Sequence, residues 1–320
     1  MRRILAAIMV LTIVMWTYPA TAEIEKINPY VIKADVRAYM TESDIALYEK
    51  LLDGVFARAT RVDLSGDYDA NLRAFGALQG NPYYFFIEKL SFTSDHTAVN
   101  LTYAYSAEEQ TEMRDYMDGE YRSILNSIIT PDMNDLDKTL AVYQYFGKRI
   151  SYDYEWLGAL DMASDKFLFP EIEIYQALKT NKGVCHSYSY LCEFALQQLG
   201  IECMRLSGDV TGTDEGHMWL VVKLDGHFYH IDPTWDDNGD TEGLTFFGMT
   251  DAERIASGVD NYGMSYDGAY GEIVCDANTF SAFRGAVDFS FIQGDPHRIL
   301  LDYGGHTVIF DTEAMAVVEG

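Results

Sequence analysis

The chain has 320 residues, 48% apolar and 23% charged, a composition that excludes disorder, collagen-like repeats and a disulfide-stapled mini-scaffold. Its 23 basic residues stand against 50 acidic ones. The resulting net charge of −27 repels phosphate backbones and argues against a nucleic-acid partner.

Residues 1–22 read as an export signal. Arg2-Arg3 precede a 13-residue apolar run from Ile4 to Trp16, and Ala20-Thr21-Ala22 offers a cleavage site before Glu23. A secreted mature chain is expected, an uncleaved anchor being the alternative. The run is shorter than the ~17–25 residues that span a bilayer, and no later stretch is long and apolar enough to do so. Residues 23–60 read as largely helical, with a start signal at Thr41-Glu42-Ser43-Asp44. Residues 61–82 read as a polar, glycine-spotted loop. Strands are predicted over 83–90 and 97–105, then a helix over 106–129. The turn-rich stretch 130–135 marks a boundary, followed by a helix over 135–149 and an ordered loop over 151–169. Beyond Thr250 come a short helix over 251–256, a Gly/Tyr/Asp-rich loop to Asp276, and strands near 286–292, 297–303 and 307–310. The expected organisation after the signal is an N-terminal α+β region (23–130), a core (131–250) and a C-terminal extension with short strands (251–320).

The core carries the chemistry. A flexible Lys182-Gly183 turn is expected before Cys185. From Cys185 onward Tyr188, Leu191, Cys192, Ala195, Leu196 and Leu199 share one helical face, and Gly200 stops the helix. Cys185 therefore sits in the first turn, where the helix dipole and unpaired N–H groups favour thiolate over thiol. Those N–H groups could also hold an oxyanion. A small packed cysteine is the plainer reading of Cys185 by itself.

Asp225-Gly226 between two apolar runs predicts a two-residue hairpin turn. In that register Leu224 faces His227, Trp219 faces Asp232 and His217 faces Thr234. His217, Trp219, His230, Asp232 and Thr234 then share a sheet face. His217 and Asp232 become diagonal neighbours at ~7–8 Å between backbones, within side-chain reach. The cysteine helix is expected to cover this odd-numbered face. Cys185, His217 and Asp232 thus form a candidate nucleophile, base and orienting carboxylate.

Four segments carry a family resemblance: GVC at 183–185, LGIECMRLSGD at 199–209, GHMWLVVKLDGHFYHIDPTWDD at 216–237, and DLDKTLAVYQYFGKRISYDY at 135–154. They resemble the transglutaminase-like superfamily, more narrowly its bacterial secreted members, over about 135–250. The resemblance implies a papain-like α+β core, a cysteine-bearing helix on an antiparallel sheet, with a Cys185-His217-Asp232 triad acting on a protein or peptide substrate. The family includes cross-linkers, cysteine peptidases, peptide-glycan amidases and inactive relatives. Two positions depart from its pattern: Ser187 stands where many relatives have Gly, and Leu220 where Asn often follows His-x-Trp. Gln176 is the candidate side-chain oxyanion donor. His186, Trp219 and Trp235 are candidate substrate contacts, core packing being an equal reading of the two tryptophans.

No cofactor or metal is expected. The histidines near Cys185 lack His-x₃-His or Cys-x₂-Cys spacing for zinc. In the acidic turn 236–242, Gly239 is at the fourth place and the glutamate at twelve is missing, so calcium is possible but unsupported. Cys192 and Cys203 could pair, but buried free thiols are the expectation for Cys192, Cys203 and Cys275. The sequence thus points to an exported, monomeric thiol acyl-transfer enzyme, with hydrolysis and transamidation both open. An inactive binding or structural module on the same scaffold is the alternative.

Overall fold

The computed structural model describes residues 23–160, 170–237, 239, 241–260 and 273–318. The expected signal segment 1–22, part of the predicted 151–169 loop, two residues of the 236–242 turn and most of the Gly/Tyr/Asp-rich loop lie outside these residues.

The N-terminal region opens with α1 (Ala34–Arg37) and α2 (Glu42–Phe56), the latter started by a reciprocal Thr41–Asp44 capping box. The stretch 61–82 is not the loop its polarity suggests. It forms β1 (Arg61–Asp63) and α3 (Tyr68–Gln79), whose first N–H groups are accepted by Asp67. The buried face of α3 is built mainly from Ala70, Ala74, Ala77 and Leu78, at helical spacing but mostly too small to stand out as apolar. β2 (Ile87–Phe92) and β3 (Ala98–Tyr103) complete an antiparallel sheet of order β1-β3-β2. The strand expected from residue 83 begins only after a 3₁₀ turn at Tyr84–Phe86. Helices α4 (Ala107–Ile128) and α5 (Asp135–Arg149) each begin at a capping box, Ser106–Glu109 and Asn134–Asp137.

The chain then reaches the layer that holds the site. β4 (Ser151–Tyr152) and α6 (Tyr154–Leu160) stand where an ordered loop is expected. α7 (Pro170–Thr180) leads to β5 (Lys182–Gly183), which pairs in parallel with β4. α8 (Cys185–Gln198) follows at once. β6 (Cys203–Val210), β7 (Gly216–Leu224) and β8 (His227–Ile231) form the centre of a five-stranded antiparallel sheet. After the short helix α9 (Pro233–Asp236), that sheet is completed by β9 (Phe247–Met249) beside β8. α10 (Asp251–Ala256) then leads to β10 (Val259–Asp260), which pairs with β6. A second antiparallel sheet closes the chain: β11 (Asp288–Ile292), β12 (Asp295–Asp302), β13 (Thr307–Asp311) and β14 (Ala316–Val318). The fold is α+β. One apolar core runs from Ile27 to Phe310, so the C-terminal Phe289, Ile299 and Leu301 pack into the same interior as α5 and α8.

The β7–β8 hairpin turns at Asp225-Gly226, both at positive φ (47° and 81°), which suits a type I′ turn. Its register runs from Leu224↔His227 to Leu220↔Ile231. The ladder stops there: Pro233 has no N–H to donate, Asp232 turns into the cap of α9, and Thr234 lies in that helix rather than opposite His217. The face covered by α8 is also the reverse of the expected one. Tyr188, Leu191, Cys192, Ala195 and Leu196 share a core with the even-numbered Leu220, Val222 and Leu224. Trp219 and Val221 instead join Met204, Leu206, Val259 and Cys275 in a smaller cluster. Glu193 of α8 fixes the helix to β6, accepting from Arg205 N at 3.0 Å and pairing with its guanidinium at 3.0 Å.

Candidate active site

Cys185 is the first residue of α8, after an extended Val184. Ser187 reaches back one turn: its hydroxyl accepts the Val184 N–H at 3.2 Å. A Cβ on Gly183 would stand 2.3 Å from the Ser187 Cβ. Gly183 is therefore there for clearance, in a short strand, and not for the flexible turn its sequence suggests. The Ser187 departure has a local use as half a cap.

His217 stands at the first rungs of β7, where it pairs with Gly208 and follows Gly216. His217 Nε2 donates to Asp232 Oδ2 at 2.7 Å. An ionised carboxylate only accepts, so in the neutral imidazole Nδ1 is left to take the thiol proton. The thiol lies within the electrostatic influence of both His217 and His186. Burial pushes the Cys185 thiol up, but these two imidazoles outweigh it and bring it down to about 6. Burial pulls His217 down, and the Asp232 carboxylate outweighs that and lifts it to about 9. Both shifts favour the thiolate–imidazolium form of the pair.

Asp232 is fully buried and all its acceptors are used. Oδ1 takes the N–H groups of Thr234 (3.1 Å) and Trp235 (3.2 Å); Oδ2 takes His217 and Arg254 Nη2, the latter at 2.9 Å. Burial raises its pKa, and His217 and Arg254 together hold it below the ordinary carboxylate range. Arg254, on α10 and buried, is invisible to a reading of local sequence pattern. Its guanidinium lies 4.3 Å from the rings of both Trp219 and Trp235. The His217 imidazole stacks on the same two indoles, at 5.9 Å and 4.7 Å and nearly parallel to each. The tryptophans are thus two plates enclosing the imidazole and the guanidinium.

The other candidate residues separate. Trp219 is fully buried, with its indole N–H donated to His230 Nδ1 at 2.9 Å, so it packs behind His217 and lines no groove. Trp235 is half-buried and can present an edge to substrate. His186 is half-buried beside the sulfur. Gln176 is exposed on α7; among the described residues no hydrogen bond ties its amide to Cys185. Tyr152 pairs with Gly183 and lies within the field of Cys185, Glu215 and Asp232. Burial pushes Cys192 and Cys203 well above the ordinary thiol range, and none of the four cysteines is in a disulfide.

Among the described residues, one group of three brings potential metal ligands within 4.8 Å: His230, Asp251 and Cys275. Its protons argue for a hydrogen-bond relay. An indole N–H can only donate, so Trp219 makes His230 Nδ1 an acceptor and leaves the imidazole proton on Nε2. That proton points at Asp251 Oδ1, 2.9 Å away. Metal at Nε2 would have to displace it. In the 236–242 turn, Asp236 accepts from Tyr143 and the Phe246 N–H, and Asp237 from Tyr188. The buried Glu242 carboxyl lies against Gly147, with neither oxygen hydrogen-bonded among the described residues. These carboxyls do not gather as a calcium shell.

Residues 122–233 match the model of the Transglutaminase-like superfamily. Over 122 residues the chain is 25% identical to Kyphoscoliosis peptidase of Homo sapiens and 24% identical to that of Mus musculus. The match takes in 35% of this chain and 17% of each relative's length. A crystal structure of a TGase aligns at 17% identity over 46% of this chain and 43% of that one, with a TM-score of 0.32. No described helix is long and apolar enough to cross a membrane. The segment that holds Cys185, His217 and Asp232 is a transglutaminase-like domain.

Proposed function

We propose that this protein is an exported, monomeric thiol acyl-transfer enzyme acting on amide bonds of proteins or peptides. Cys185 thiolate attacks the amide carbonyl, and the displaced π electrons rest on the oxygen near the start of α8. As the C–N bond breaks, the His217 imidazolium gives its proton to the leaving amine and a thioester remains. Neutral His217 then takes a proton from the incoming acceptor, whose attack releases the acid or new amide and restores the ion pair. Asp232 keeps the imidazole oriented throughout. The similarity to a peptidase favours water as the acceptor.

The observation that carries this reading is the chain Cys185–His217–Asp232, with the thiol lowered and the imidazole raised. The test is incubation with a peptide library and a labelled amine, read by mass spectrometry. Backbone cleavage, side-chain deamidation and amine incorporation give distinct mass changes, and each should vanish in Cys185→Ala. No product, together with no selective labelling of Cys185 by a thiol probe at mildly acid pH, would leave the inactive-module reading in its place.

A further inference from the structure

The indole plate behind His217 is itself held in place. Trp219 stands two residues from His217 on β7, so the two side chains share a sheet face. The pairing Val221↔His230 puts Trp219 diagonal to His230 on the neighbouring strand. The indole N–H donates to His230 Nδ1 at 2.9 Å, with the two rings tilted by 50° at 6.1 Å. Both residues are fully buried, where an indole N–H without an acceptor is costly.

An imidazole nitrogen that accepts carries no hydrogen, so the indole selects the neutral tautomer with its proton on Nε2. Burial holds His230 below the ordinary imidazole range, in keeping with that form. Its Nε2 lies 2.9 Å from Asp251 Oδ1. Asp251 is clamped in turn: Oδ2 accepts the Cys275 N–H at 3.0 Å, and its own N–H donates to Cys275 O at 2.7 Å. A run of hydrogen bonds thus leads from the Cys275 backbone through Asp251 and His230 to the indole that stacks on His217. Arg254, one turn along α10 from Asp251, lies 4.3 Å from the same indole and bonds to Asp232. One short helix therefore steadies the His217 imidazole by two routes, through its carboxylate and through its plate.

We propose that His230 is a positioning residue for the reaction: by accepting the Trp219 N–H and donating to Asp251, it fixes the angle of the indole and hence the direction in which His217 presents Nδ1. The proposal rests on the acyl-transfer reading of the site. His230 touches no reacting atom, and its proton stays on Nε2 throughout. Without the acceptor, the indole must turn to satisfy its N–H elsewhere. The His217 ring lies within 16° of parallel to that indole, and its single bond to Asp232 leaves it free to rotate about the Nε2···Oδ2 line. A turned indole therefore tilts the imidazole away from its working angle and weakens the thiolate–imidazolium pair.

The test is the pH profile of Cys185 alkylation by iodoacetamide in the full chain, read by peptide-resolved mass spectrometry, with near-ultraviolet circular dichroism as the check on folding. The midpoint does not depend on the folded fraction, so a packing role alone would leave it in place. Wild type should titrate well below the free-thiol value of about 8.5. His230→Leu, which removes acceptor and donor, should raise the midpoint by about half a unit or more, a roughly threefold loss of rate on the acid limb. His230→Asn, whose amide oxygen can accept near the place of Nδ1, should recover most of that loss. Trp219→Phe keeps a ring but has no N–H, and serves in place of His230→Leu where the latter does not fold. It should shift the midpoint as His230→Leu does, and the double variant should shift it no further, because both changes remove the same bond. A midpoint equal to wild type in His230→Leu or Trp219→Phe, a midpoint in His230→Asn as displaced as in His230→Leu, or shifts that add in the double variant overturn the inference and leave the acyl-transfer reading intact. A wild-type thiol unreactive below about pH 8 overturns both.

Discussion

Replacing Arg254 by Met tests whether the Asp232 carboxylate depends on a cation outside the matched segment. The side chain is enclosed between two indoles, and Met can refill much of that slot while removing the charge and the 2.9 Å bond to Asp232. Breaking a buried ion pair by deleting one partner costs about 3–5 kcal/mol, because the other charge is left uncompensated. Here the His217 imidazolium still faces Asp232, so the expected loss near neutral pH is smaller, about 2–3 kcal/mol. The loss should then grow with pH. His217, raised to about 9, stabilises the fold fully below its unfolded value and ceases to do so as pH rises through about 9. Above that point Asp232 in the variant keeps only neutral donors, the His217 Nε2–H and two backbone N–H groups. Denaturant unfolding of wild type and Arg254→Met at pH ~7 and pH ~10 gives the difference directly. A loss under about 0.5 kcal/mol at both pH values, or one that does not grow with pH, would refute the two-cation account of Asp232.

Three other outcomes follow from particular contacts. Gly183→Ala places a methyl 2.3 Å from the Ser187 Cβ and should cost about 1–3 kcal/mol and slow Cys185 labelling; adding Ser187→Gly should recover both, and failure to recover would show that the glycine serves backbone conformation instead. Burial pushes the Asp236 carboxyl up to about 7, so its stabilising effect is full at acid pH and lost as pH rises through that value. Asp236→Asn keeps an acceptor for Tyr143, and its thermal stability relative to wild type should improve from about pH 5 to pH 9; a constant offset would contradict the raised pKa. Cys192→Ala should cost about 1 kcal/mol in unfolding experiments and leave Cys185 alkylation unchanged, whereas a loss of labelling equal to that of Cys185→Ala would point to a packing role for both thiols.

Legibility in the sequence follows the range of each signal. Asp225-Gly226 encodes its turn in two residues, and five paired positions follow from it. The cysteine at a helix start was equally local, because Gly200 and the apolar spacing fix the helix. The face covered by α8 was not. β7 is apolar on both sides, with Trp219 and Val221 on one and Leu220 and Val222 on the other. Alternation cannot choose a face when both are buried. α3 was missed because alanine carries little weight in an apolar period although it packs as closely as leucine. Arg254 lies 22 residues from Asp232, on a short helix whose own pattern explains only that it is a helix.

Arg254 also bears on where the functional unit ends. The family match stops at residue 233, one position after Asp232. Asp232 is held by N–H groups from Thr234 and Trp235 and by the Arg254 guanidinium, all beyond that limit. One of the two indoles stacked on His217 is Trp235. Strand β8 is covered by β9 through His230↔Met249 and Ile231↔Phe247, and β6 by β10 through Val259↔Val210. Cut at 233, the sheet would expose both of these strand edges, and the imidazole would lose one plate and the second cation on its carboxylate. Cys185, His217 and Asp232 thus all lie within 122–233, but three of the four donors that hold the carboxylate come from beyond it.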